Sequence, residues 1–142
     1  MPSRTSDAEW HGTLREGRGH MRFGGGAYDG AYTWASRFSD GGGTNPEELI
    51  AAAHAGCYAM ALSGDLTKAG FPPDDIRASA EVHLDQVDGR WTITAIDLTV
   101  GAEVPKIDQA TFLKIAQGTV VGCPVSRALS AVKINLDATL KA

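Results

Sequence analysis

From Ile50 to Leu62 the chain reads "IAAAHAGCYAMAL", thirteen uncharged residues inside a longer run of helix formers from Pro46 to about Ala69. Thr44 or Asn45 can cap that helix, Pro46 suits its first turn, and Glu47 and Glu48 favour the positive end of its dipole. Gly70 and the Pro72–Pro73 pair stop it. If unbroken, the span is about 36 Å long. Between Ala51 and Leu62 every face is small or apolar, and a helix of that kind has to be surrounded by protein. The uncharged run falls short of the roughly 20 residues that cross a bilayer. It therefore predicts the buried central element of a globular fold, with no membrane partner.

What surrounds the helix reads mainly as strand. Trp10, Leu14, Met21 and Phe23 are spaced among polar residues, and "AYTWASRFS" places Tyr32, Trp34 and Phe38 on one strand face and Arg37 on the other. After the helix, "IRASAEVHLDQVDGRWTITAIDLTV" reads as a hairpin turned by Asp88–Gly89, with a change of phase at Ala95–Ile96 that predicts a bulge. Asp108 then caps a second helix with an apolar stripe of Ile107, Phe112, Ile115 and Ala116. Cys123–Pro124 begins a short third helix, and "AVKINLDATL" closes with a strand. This order predicts an α+β fold with antiparallel sheet, in one domain from 1 to 142.

The chemistry narrows by exclusion. A formal net charge of -4 without a basic run argues against nucleic acid as a partner. The N-terminus "MPSRTSDAEW" lacks the apolar core of a secretory signal, so the expected compartment is the cytoplasm, where the two cysteines are read as reduced or reactive. Taken alone, Cys57 is a small hydrophobe in a packed helix. Cys123 differs, because a cysteine before Pro124 at a helix start has N–H groups nearby that favour thiolate. His54 and Cys57 share a helix face and suggest half a zinc site, but too few further ligands are at hand for a metal to be expected. His11, His20 and His83 read as solvated. The glycines follow neither a dinucleotide-binding nor a P-loop pattern, there is no G-x-S-x-G elbow, and Glu47 and Glu48 read as dipole partners.

Four blocks carry a more specific signal: "SRF" at 36–38, "GTNPEELIAAAHAGC" at 43–57, "MALSGDLTKAGF" at 60–71 and "GCPVSRAL" at 122–129. In order and spacing they resemble the OsmC family of hydroperoxide reductases, whose relatives include the organic hydroperoxide resistance proteins. The likeness runs from about Glu9 to the C-terminus. Gly56, where members often have alanine, and the loop Gly41 to Gly43 are the departures.

The resemblance implies an OsmC-like fold, an antiparallel sheet wrapped around the long buried helix in an intertwined homodimer. It implies a cysteine peroxidase of oxidative and osmotic stress defence, reducing organic hydroperoxides and, less well, hydrogen peroxide. Cys57 would be the peroxidatic cysteine, Cys123 the resolving one that closes a Cys57–Cys123 disulfide, and Arg37 and Glu47 the polar pair beside them. No bound cofactor is implied, and the reductant would be an external dithiol, a dihydrolipoyl group on a lipoylated protein. Two other readings stay open on the residues alone, a redox sensor without turnover and a small apolar-ligand binder.

Overall fold

The computed structural model describes residues 1–141; Ala142, which the one-domain reading includes, lies outside them. Residues 1–49 and the residues from Ile50 onward form two compact units.

The first unit is a three-stranded antiparallel sheet in the order β1 (Asp7–His11), β2 (Arg18–Phe23) and β3 (Tyr28–Tyr32), followed by a short helix α1 (Trp34–Phe38) and the first residues of α2 (Pro46–Lys68). The strand expected through "AYTWASRFS" ends at Tyr32. Thr33 turns the chain into helix: its Oγ1 accepts from the Ser36 N–H at 3.1 Å, and Ser36 Oγ accepts from the Thr33 N–H at 2.8 Å, a reciprocal cap. Trp34 and Phe38, read as sharing a strand face, instead meet one helical turn apart with ring centroids at 5.5 Å. Arg37 accordingly projects from the last turn of α1.

Asn45 caps α2, accepting from the Glu48 N–H at 2.7 Å. At the far end Gly70, at φ +95°, donates to the Thr67 carbonyl and Phe71 to that of Leu66, the Schellman pattern that closes a helix on a left-handed glycine. Burial of α2 within one chain is one-sided, a correction to the all-round burial expected from its composition. His54, Tyr58, Leu62 and Leu66 form a fully buried stripe at four-residue spacing. Ala52, Ala53, Gly56 and Met60, the last 80% exposed, lie on the other side.

The second unit is built on β4 (Asp75–Val87), β5 (Arg90–Glu103) and β6 (Lys133–Leu140). β4 and β5 pair antiparallel around Asp88–Gly89, both at positive φ as a type I′ turn requires. The pairing moves from His83–Ala95 to Leu84–Ile93, so Thr94 is the extra residue, one position from the predicted phase change. β6 joins β5 in parallel, which makes this sheet mixed; the crossover runs through α3 (Gln109–Gly122) and α4 (Pro124–Ala128). Ile96, Leu98, Val100 and Ala102 alternate inward along β5, and the last three share a core with Tyr58, Leu62 and Leu66 of α2 and Phe112 and Ala116 of α3. Asp108 caps α3 through the Thr111 N–H at 3.2 Å, as expected. Among the described residues no helix is long and apolar enough to cross a membrane.

Candidate active site

Cys57 sits midway along α2, and Cys123 is the joint between two helices, its N–H donating to Thr119 of α3 and its carbonyl accepting from Arg127 of α4. Pro124 occupies the first position of α4, where its missing N–H costs nothing, and a new helix can therefore start at the cysteine. The two sulfurs, 66 residues apart in sequence, lie 3.1 Å from each other as free thiols. Cys57 is partly exposed; Cys123 is fully buried.

Their acidities diverge. Burial raises the Cys57 pKa, the Cys123 sulfur raises it further, and the Val125 N–H only partly offsets them. Burial also pushes Cys123 up, but the Ser126 N–H, the Cys57 thiol, the Ser126 hydroxyl and the Val125 N–H together bring it below its ordinary value. The Ser126 and Val125 N–H groups belong to the first turn of α4, whose positive end favours an anion. The thiolate is thus favoured at Cys123 by its neighbours and disfavoured at Cys57 by burial.

Arg37 and Glu47 form the other pair. Arg37 Nε donates to Glu47 Oε1 at 2.8 Å and Nη2 to Oε2 at 3.0 Å, a two-pronged ion pair, with Glu47 only 7% exposed. The loop between them is fastened: Ser36 Oγ donates to the Thr44 carbonyl at 2.7 Å, Asn45 Nδ2 to that of Ser36 at 3.0 Å, and the Thr44 N–H to Ala31 at 2.9 Å. Gly43 is required there, because at φ +109° a Cβ would meet the Ala31 carbonyl oxygen at 2.6 Å. Beside Arg37, Trp10, Leu14, Tyr32, Trp34 and Phe38 line a mostly apolar cavity of about 220 Å³.

Thus each pair lies within one compact unit. α2 is continuous from Pro46 to Lys68, with no break at Gly56. The ten residues from Glu47 to Cys57 therefore span about 15 Å of rise.

One buried residue of this region was read from the sequence only as half a zinc site. His54 is 0% exposed; its Nε2 lies 2.7 Å from Ser126 Oγ, and its Nδ1 has no partner among the described residues. Its position on the buried stripe of α2 was the available signal. Nor are all the other histidines simply solvated: His83 Nε2 pairs with Asp97 at 2.7 Å and His20 Nδ1 with Asp29 at 2.8 Å, while His11 is exposed.

The OsmC family, described as OsmC-like protein, matches residues 39–137. Peroxiredoxin OsmC of Escherichia coli is 46% identical over 135 residues, 94% of each chain. An organic hydroperoxide resistance protein of Xanthomonas axonopodis pv. citri is 30% identical over 101 residues, 70% of this chain and 67% of that one. Among solved structures, the organic hydroperoxide resistance protein OhrB of Bacillus subtilis superposes with a TM-score of 0.68 at 23% identity, over 96% of this chain and 98% of that one.

Proposed function

The chain belongs to the OsmC family, and from that premise we propose that it is a thiol peroxidase that reduces organic hydroperoxides through Cys57 and Cys123. The observation that carries this reading is the 3.1 Å contact between two free sulfurs far apart in sequence. Exposure supports the roles in this reading, in which the partly exposed Cys57 meets the peroxide and the buried Cys123 meets Cys57.

The Cys57 thiolate attacks one peroxide oxygen and breaks the O–O bond. The second oxygen leaves with the organic group, takes a proton and departs as alcohol, and Cys57 becomes a sulfenic acid. The Cys123 thiolate then attacks the Cys57 sulfur and displaces hydroxide, which leaves as water on taking a proton. An external dithiol, in our reading a dihydrolipoyl group, takes up the disulfide by thiol exchange. The aromatic cavity beside Arg37 suits an alkyl or aryl hydroperoxide better than hydrogen peroxide.

The first step needs a cation at Cys57, whose surroundings in its own unit raise its pKa. Arg37 is that cation in our reading, held in shape by Glu47. An unbroken α2 carries Glu47 about 15 Å along the helix from Cys57 in the same chain, which favours delivery of the pair by a second copy. The exposed Ala52, Ala53, Gly56 and Met60 give that copy an apolar surface to cover. The protein is accordingly a homodimer in this reading, with two equivalent sites.

Cumene hydroperoxide supplied with dihydrolipoamide tests the function. Catalytic consumption is expected; oxidation that stops after one equivalent indicates a redox sensor, and no oxidation an apolar-ligand binder. Cys57→Ser should abolish consumption, and Cys123→Ser should permit a single turnover and leave Cys57 open to over-oxidation. Parent-rate turnover by the Cys57 variant would reverse the assignment.

A further inference from the structure

His54 and Ser126 are drawn together from positions 72 residues apart, both buried, at a hydrogen bond of 2.7 Å. His54 has no part in the chemistry above, and Ser126 enters it only as a neighbour of Cys123. Ser126 is the third residue of α4, and Cys123 is the cap of that helix, so the hydroxyl that meets His54 is within one turn of the resolving sulfur.

A neutral imidazole carries one N–H, on Nδ1 or on Nε2. The unpartnered Nδ1 decides between them. A proton there would strand a donor in the interior, and stranded N–H donors are rarer than under-used acceptors. Nε2 therefore carries the proton and donates to Ser126 Oγ. A serine hydroxyl has a single proton, and once Oγ accepts from His54 that proton is free to point elsewhere.

We propose that His54 is a positioning residue for Cys123: its Nε2–H occupies Ser126 Oγ as an acceptor and thereby turns the Ser126 hydroxyl proton toward the Cys123 sulfur. The opposite tautomer would draw the hydroxyl proton onto His54 and leave oxygen lone pairs facing the sulfur, which oppose a thiolate. Two further facts agree. Burial lowers the His54 pKa and keeps the ring neutral, and the Ser126 hydroxyl is among the groups that lower Cys123. The titratable side chains acting on Cys123 from α2 are Cys57 and Tyr58; Tyr58, whose pKa is raised by burial first and by Cys123 second, keeps its proton and donates it to the Ala116 carbonyl at 2.8 Å. From α4 the group acting on Cys123 is Ser126, three residues along the helix and not ionisable. His54 thus governs the disulfide-forming thiolate through one uncharged relay.

The inference rests on Cys123 as the resolving cysteine, but its test needs no hydroperoxide. In the Cys57→Ser protein, Cys123 is the sole thiol, and its ionisation is followed by thiolate absorbance in the ultraviolet against pH. Adding Ser126→Ala or His54→Leu should each raise the midpoint by about one pH unit, a tenfold loss in ionisation constant. The two together should add little to either alone, because they act on one hydrogen bond. His54→Gln, whose amide N–H stands in for Nε2–H, should restore the low midpoint. A midpoint unmoved by His54→Leu, or moved equally by Leu and Gln, overturns the proposal. Nitrogen NMR of the imidazole in the unsubstituted protein is an independent check: a protonated Nε2 and a bare Nδ1 are expected, and the reverse tautomer overturns it. A protein that passes both tests without turning over hydroperoxide would refute the enzymatic reading and leave this one standing.

Discussion

Cys57 and Cys123 touch, yet the same burial that hinders ionisation of Cys57 is outweighed at Cys123 by the dipoles at the start of α4. This part was legible in "GCPVSRAL", where a cysteine ahead of a proline marks a helix start. The acidity of Cys57 was less legible, because it follows burial, and burial is fixed by packing rather than by neighbours in sequence. Replacing Arg37 with Met should raise the Cys57 pKa and slow the first chemical step, whereas Arg37→Lys should retain part of the rate, a charge without the fork that grips Glu47. Alkylation of Cys57 followed against pH in a Cys123→Ser background reads the shift; profiles that coincide for Arg, Met and Lys would remove Arg37 from the mechanism. His54 escaped functional reading at this scale, since its partner Ser126 lies 72 residues away and no spacing rule links them.

Among the elements, the long helix, the Asp88–Gly89 hairpin and the Asp108 cap were readable because each is specified by local chemistry: a proline and a left-handed glycine at the ends, a turn pair at positive φ, a side-chain cap. α1 was misread for a physical reason. Residues 32, 34 and 38 are all even-numbered and fit a strand face, but 34 and 38 are also one helical turn apart, so the aromatic pattern does not choose. The choice is made by Thr33 and Ser36, a reciprocal cap with serine in place of the usual Glu or Gln. Thr33→Ala should therefore cost about 1 kcal/mol of stability, within the ~0.5–2 kcal/mol range for lost caps, read from the urea midpoint. Because α1 carries Arg37, the same change should also lower peroxidase turnover. A variant as stable as the parent would mean that the cap is incidental to α1. The parallel seating of β6 was likewise beyond local signals, as a strand's direction is fixed by the crossover that precedes it.

For the whole molecule, His54 and His83 set opposite responses to pH. His54 has a pKa lowered by burial from the ordinary 6.5, so below that value the unfolded chain takes up a proton that the folded chain refuses, and stability is lost as pH falls. His83 has its pKa raised by its hydrogen bond to Asp97, so its contribution is complete below its ordinary pKa and is lost as pH rises through the raised value. In urea titrations from about pH 7 down to about pH 5, the stability gap between parent and His54→Gln should narrow steadily; a constant gap would mean that the folded imidazole takes up the proton as readily as the unfolded one. Assembly is the larger question at this scale. α2 is apolar on a side that one chain leaves exposed, and it is unbroken through the interval separating Glu47 from Cys57. Both facts are accommodated if Glu47 and Arg37 serve the Cys57 of a second copy. Co-expression of Glu47→Ala with Cys57→Ser, and isolation of the heterodimer, decides the matter. If the pair acts across the dimer, one site collects both defects and the other is intact, so about half the parent activity survives. If it acts within a chain, one site lacks its carboxylate and the other its nucleophile, and activity falls toward zero. Sedimentation of the parent as a monomer would exclude action across a dimer altogether.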